Sequence, residues 1–138
     1  MLLAQRGLLK TLIYADSIRE AVTNGKLVEL SSDYRTAGAV RATLPLDTSY
    51  AATPAAFNAH IRGGVLTELG LRIDAFCRDL GKAIQAHTHG TTSDFIITHI
   101  GRDGQARYHA LKLNWLAASR SWVVSLPDEE VRLRAALF

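Results

Sequence analysis

Residues 94–116, DFIITHIGRDGQARYHALKLNWL, decide the fold. Two runs rich in β-branched and aromatic residues, Asp94–Ile100 and Ala106–Leu116, flank Gly101-Arg102-Asp103-Gly104, a strong hairpin turn. In the second run Leu111, Leu113 and Trp115 are apolar while Lys112 and Asn114 are polar, so the odd positions face the core. With Gly104 as the bulge residue, Ile97 faces His109, His99 faces Arg107 and Phe95 faces Leu111. Asp94 then stands opposite Lys112 on the other face. A slip of one residue would undo every pair. Trp122–Leu126 (WVVSL) extends the hairpin into an antiparallel three-stranded meander.

Upstream, Leu66, Leu69, Ile73, Phe76, Cys77, Leu80 and Ile84 recur at helical spacing, the stripe of a long core-facing helix. Glu68/Arg72 and Asp74/Arg78 form i,i+4 pairs on its solvent side, and Gly90 ends it. Thr53-Pro54 opens an earlier helix, with threonine as cap and proline in the first turn, and Gly63-Gly64 breaks or bends it. Leu2 to Asn24 reads as an N-terminal helix, divided near Asp16 by the capping pattern Ser17/Glu20 and stopped at Asn24-Gly25. Lys26–Leu30 (KLVEL) and Ala39–Leu44 (AVRATL) read as a short β-hairpin across Ser31–Gly38, with Asp47–Thr53 as loop. Pro127-Asp128-Glu129-Glu130 starts a short C-terminal helix running through Leu137, its acids placed where the helix dipole favours them. The expected class is therefore α+β: N-terminal helix, short hairpin, long central helix packed on the meander, short C-terminal helix.

The 138 residues fit a single domain, 1–138, with one core, and 48% hydrophobic with 21% charged residues excludes a disordered chain. Cys77 is the only cysteine, which excludes an intramolecular disulfide and a Cys-rich zinc site and fits a cytoplasmic protein. The longest charge-free run, Thr48 to Ile61, contains Pro54, Asn58 and His60 and does not read as a membrane span. The first residues lack the pattern of a secretory signal. The net charge is +3, and the basic excess falls on the expected strands: Arg35 and Arg41, then Lys82, Arg102, Arg107, Lys112 and Arg120. The acids gather at Asp128-Glu129-Glu130. A basic balance favours an anionic partner.

Three constellations carry chemistry. His99, Arg107 and His109 fall on one face at the turn end of the hairpin, where one imidazole acts as base, another as acid, and Arg107 holds a phosphate. This layout is similar to small ribonucleases that place such residues on an antiparallel sheet. Glu68, Asp94 and Lys112 resemble the layout of restriction-enzyme-like nucleases, but Ala110 stands where their second metal-binding acid belongs, so no metal site is expected. His87 and His89 have the spacing of two zinc ligands but no acid or cysteine beside them, and Cys77 lies on the apolar stripe. Gly81-Lys82 lacks a phosphate-loop pattern.

Nucleic-acid binding without catalysis needs cations for phosphates, here Arg35, Arg41, Arg102, Arg107, Lys112 and Arg120, and an exposed aromatic, Tyr108. The element order is also reminiscent of secretion chaperones, which dimerise and bind a client chain. The expected function is a small non-catalytic binding or assembly protein without cofactor or metal, whose basic sheet contacts nucleic acid. The alternatives are a metal-independent ribonuclease and a subunit that binds a protein partner or forms a homodimer.

Overall fold

The computed structural model describes residues 11–62, 69–87, 90, 92–100 and 103–134, with the backbone alone for Arg62 and His99. Among them β2 (Val28–Glu29), β3 (Ser49–Ala52), β6 (Ser121–Ser125), β5 (Ala106–Leu116) and β4 (Thr92–Ile100) lie side by side in that order. The β3–β6 pair is parallel and the other pairs antiparallel. A separate pair, β1 (Thr11–Ala15) and β7 (Glu129–Leu133), is parallel. The helices are α1 (Ile18–Thr23), α2 (Ala37–Thr43), α3 (Pro54–Phe57), which runs into a π-helical turn at Asn58–Arg62, and α4 (Leu69–Ala86). The chain is thus mixed α and β.

The hairpin 92–116 forms for the reasons its sequence gives. Gly104 takes φ +78°, a left-handed conformation that costs glycine little, and Asp103 Oδ1 accepts from the Gln105 N–H to tighten the turn. Phe95 pairs with Leu111, Ile97 with His109, His99 with Arg107 and Asp94 with Lys112. Leu111, Leu113 and Ile97 are buried against α4, whose Ile73, Phe76, Cys77 and Leu80 supply the other side of the main core. Val40 and Leu44 close this core from α2.

A second, smaller core lies on the opposite face of β3 and β6. It joins Ala51 and Val123 to Ala15 of β1, Leu133 of β7, Ala21 of α1 and Leu27. The two central strands are therefore covered on both sides: Tyr50, Ala52, Trp122 and Val124 belong to the main core, Ala51 and Val123 to the second. β4 and the turn end of β5 extend beyond this cover, leaving Ile96, Ile100 and Tyr108 exposed.

Four expectations are corrected. The meander supplies three strands of a five-stranded mixed sheet, because β3 docks in parallel along β6. The N-terminal helix is confined to Ile18–Thr23, capped by Ser17; Thr11–Ala15 is a strand, its β-branched and aromatic residues pairing with β7. The expected hairpin does not exist. Ala39–Leu44 lies in α2 and at its cap, burying Val40 and Leu44 one turn apart, and β2 pairs with Ser49–Ala52, which had the reading of a loop. The C-terminal helix is replaced by β7, and residues 135–137 of its expected span lie outside the described residues. The stretch Leu2–Lys10, Gly63-Gly64, Leu66 and Glu68 also lie outside them. No helix among the described residues is long and apolar enough to cross a membrane.

Candidate functional site

The parity of β5 puts His109 on the α4 side, two residues nearer the turn than the buried Leu111. Thr53 accepts from the Ala56 N–H and starts α3, and the π-helical turn that follows carries His60 toward the same point. A π-helical turn shifts side-chain phase by one residue and is frequent at functional positions. Ile61, beside His60, is buried in the main core and fixes the turn against the sheet. The two imidazoles lie with centroids 4.6 Å apart at an interplanar angle of 52°. Arg72 reaches them from the first turns of α4, one turn before Phe76.

Arg72 supplies the positive charge of this cluster. His60 Nδ1 and Arg72 Nε and Nη1 are buried without a hydrogen-bond partner, and no ion pair of Arg72 occurs among the described residues. Burial first, then His109 and then Arg72, push the His60 pKa down to about 4. His60 is therefore neutral at pH 7 and able to accept a proton. A buried guanidinium with free N–H groups is costly alone and favours an anion beside it.

A pH dependence follows. In the folded chain His60 titrates near 4 and in the unfolded chain near 6.5, so between these values the unfolded chain binds the extra proton. Stability falls as pH drops from 6.5 towards 4. The expected loss is about 1–2 kcal/mol, because the half-buried ring leaves part of the shift to solvent screening. Urea unfolding at pH 7 and pH 4.5 measures it, and His60→Gln should flatten the difference. An equal slope in both proteins would remove His60 as its source.

No family model, curated protein or solved structure matches the chain. The residues alone carry the chemistry.

Of the expected catalytic set, only His109 joins the cluster among the described side chains. His99 pairs through its backbone with Arg107, and its side chain lies outside the description. Arg107 is exposed and bound to Asp103 at 2.8 Å, across the hairpin turn. The expected nucleic-acid residues are carried by different elements: Arg41 by α2, and Arg107, Tyr108 and Lys112 by β5. Arg35 is held by Asp33 in a two-point pair, Nε–Oδ1 at 3.0 Å and Nη2–Oδ2 at 2.9 Å, and lies 4.5 Å from the Phe57 ring centroid. Arg120 pairs with Asp47 at 3.4 Å, and Arg41 is exposed on α2. Lys112 is half-buried and donates to the main-chain oxygen of Glu129 rather than meeting Asp94. Tyr108 is 70% exposed, and Arg102 lies outside the described residues.

The other candidates are structural. Cys77 is buried, which pushes its thiol up to about 11. His87 is bound to Ser93 Oγ and to the Gly90 carbonyl and lies edge-on to Trp122, while His89 is outside the described residues. Among the described residues no group of His, Cys, Asp and Glu could hold a metal ion. Sequence reasoning missed His60 and Arg72. The odd-face position of His109 was the available signal, since it points to partners on the helices covering that face.

Proposed function

We propose that the protein binds nucleic acid, seating a phosphate against Arg72, His60 and His109. The observation that carries this reading is the Arg72 guanidinium, with Nε and Nη1 buried and unbonded beside the His60 ring. A phosphate oxygen accepts from both kinds of donor, and Arg offers it two N–H groups in a fixed plane. Arg107, on the same face two residues along β5, stands where it can exchange Asp103 for a neighbouring phosphate. The reading rests on this local cluster and not on a uniformly basic sheet. Binding is strengthened at lower pH, because an anion favours protonated His60.

The test uses labelled single-stranded RNA and DNA with the whole protein, at several salt concentrations, with and without EDTA. Affinity is expected to fall steeply with salt. Arg72→Gln is expected to weaken it about tenfold with an unfolding midpoint that does not fall, since a charge-assisted bond contributes about 1.5–3 kcal/mol. Wild-type affinity in Arg72→Gln, or no shift at micromolar protein, would remove the proposal. The close His60–His109 pair favours a second reading, a metal-independent ribonuclease with His60 as base. Cleavage that survives EDTA and is lost in His60→Ala would establish it over simple binding.

A further inference from the structure

We infer that the group seated against Arg72 and His60 is the terminal phosphate of a nucleic-acid strand, a monoester, and not a phosphodiester within the strand. The inference rests on the nucleic-acid reading above and narrows its ligand. The nitrogens that would meet the phosphate, Arg72 Nε and Nη1 and His60 Nδ1, are all buried and without a hydrogen-bond partner. Their surroundings close on the side of the core. Leu111, two residues from His109 on the same face of β5, is fully buried with Phe76 and Leu80 of α4. Ile97, opposite His109 on β4, is buried in the same core. So are Ile61 and Ile73, the chain neighbours of His60 and Arg72. In the other direction along β5, two residues towards the hairpin turn, stands Arg107, whose side chain is 47% exposed. Among the described residues the cluster is thus the blind end of a short track that opens towards the turn.

A strand lying on this track leaves in one direction. A phosphodiester within a strand is esterified at two oxygens and carries nucleotides away on both sides. With its free oxygens on the buried nitrogens, one of those arms would have to enter the core at Leu111 and Ile97, which close packing forbids. A terminal phosphate is esterified at one oxygen. Its single arm runs out past Arg107, which meets the next phosphate when it gives up Asp103.

Charge and donors agree with the geometry. A terminal monoester has three free oxygens and, above its second pKa of about 6, a second negative charge that a diester lacks. The guanidinium, costly to bury alone, is offset best by the more highly charged anion. Arg72 offers two nitrogens in one plane, and the His60 ring offers a third beside them. In the neutral ring Nδ1 either donates to a bare oxygen or accepts from the hydroxyl of a singly protonated monoester. A diester has no such hydroxyl at neutral pH.

Oligonucleotides of one sequence test this, made with a 5′ phosphate, a 3′ phosphate or hydroxyls at both ends, and labelled at an internal base. Fluorescence anisotropy is read with the whole protein in EDTA, on RNA and on DNA. At least one phosphorylated form should bind about tenfold tighter than the hydroxyl form, and the two arms tell which end is seated. Inorganic phosphate should erase that margin, and Arg72→Gln should reduce it to about twofold or less. Equal affinity of the three forms for the wild type, with Arg72→Gln weakening all alike, would overturn the inference and leave an internal phosphate at the cluster. A margin that survives in Arg72→Gln would also overturn it, because the end would then be read elsewhere. Binding of none of the three forms would remove the nucleic-acid reading itself.

Discussion

Replacing Phe76 by alanine is expected to lower the stability by about 3–5 kcal/mol. Phe76 is 2% exposed and sits on the α4 stripe in one core with Leu80, Ile97, Leu111 and Leu113. Truncation removes most of the ring's buried surface and leaves a cavity that the sheet cannot collapse into, because interiors are close-packed. A domain of this size has about 5–15 kcal/mol in total, so the variant loses a large part of it. The urea midpoint should fall by roughly 2 M, with the slope unchanged. Leu71, on the same helix and 62% exposed, is the control, and Leu71→Ala should stay within about 0.5 kcal/mol. A cost for Phe76→Ala below about 1 kcal/mol would mean that α4 does not pack on β4 and β5 through this face.

The parts of the fold that were legible are those whose pattern is set by one buried face. The stripe Ile73, Phe76, Cys77, Leu80 gave α4, and the alternation Leu111, Leu113, Trp115 together with Gly104 gave the hairpin and its register. The parts that were not legible owe their structure to distant partners. Ser49–Ala52 has no strand-like alternation, because Tyr50 and Ala52 are buried on one face and Ala51 on the other. Its state is decided by the parallel pairing with β6, more than sixty positions away in the chain. Ala39–Leu44 alternates as a strand would, yet Val40 and Leu44 are also one helical turn apart, and packing beside α4 chose the helix. The candidate site divides in the same way. His109 follows from the hairpin register; His60 and Arg72 meet it only because α3, its π-helical turn and α4 dock on that face. Arg72 had the sequence pattern of a solvated ion-pair residue, and nothing local to it distinguishes a guanidinium turned toward the sheet.

Glu129 separates the observed C-terminal strand from the helix its neighbours imply, and Glu129→Ala should cost about 3–5 kcal/mol. In the first turn of an exposed helix a glutamate contributes only about 0.3–1 kcal/mol. In β7 it is 4% exposed, and its Oε1 accepts from the Thr53 hydroxyl at 2.5 Å and from the Leu126 N–H at 2.8 Å. It thereby ties the cap of α3 to the turn between β6 and β7. Alanine would leave both donors without an acceptor in a region closed to water, each at about 1–3 kcal/mol. The Lys112 ammonium would not be affected, since it donates to the main-chain oxygen that any residue supplies. Glu129→Gln keeps an acceptor oxygen in place and should cost about 1–2 kcal/mol. Combining Glu129→Ala with Thr53→Val removes one orphaned donor, so the pair should cost less than the sum of the two single changes. Urea midpoints of the four variants against the wild type decide the matter. If alanine and glutamine cost the same, below about 0.5 kcal/mol, then Glu129 is solvated and the parallel β1–β7 pair does not hold it.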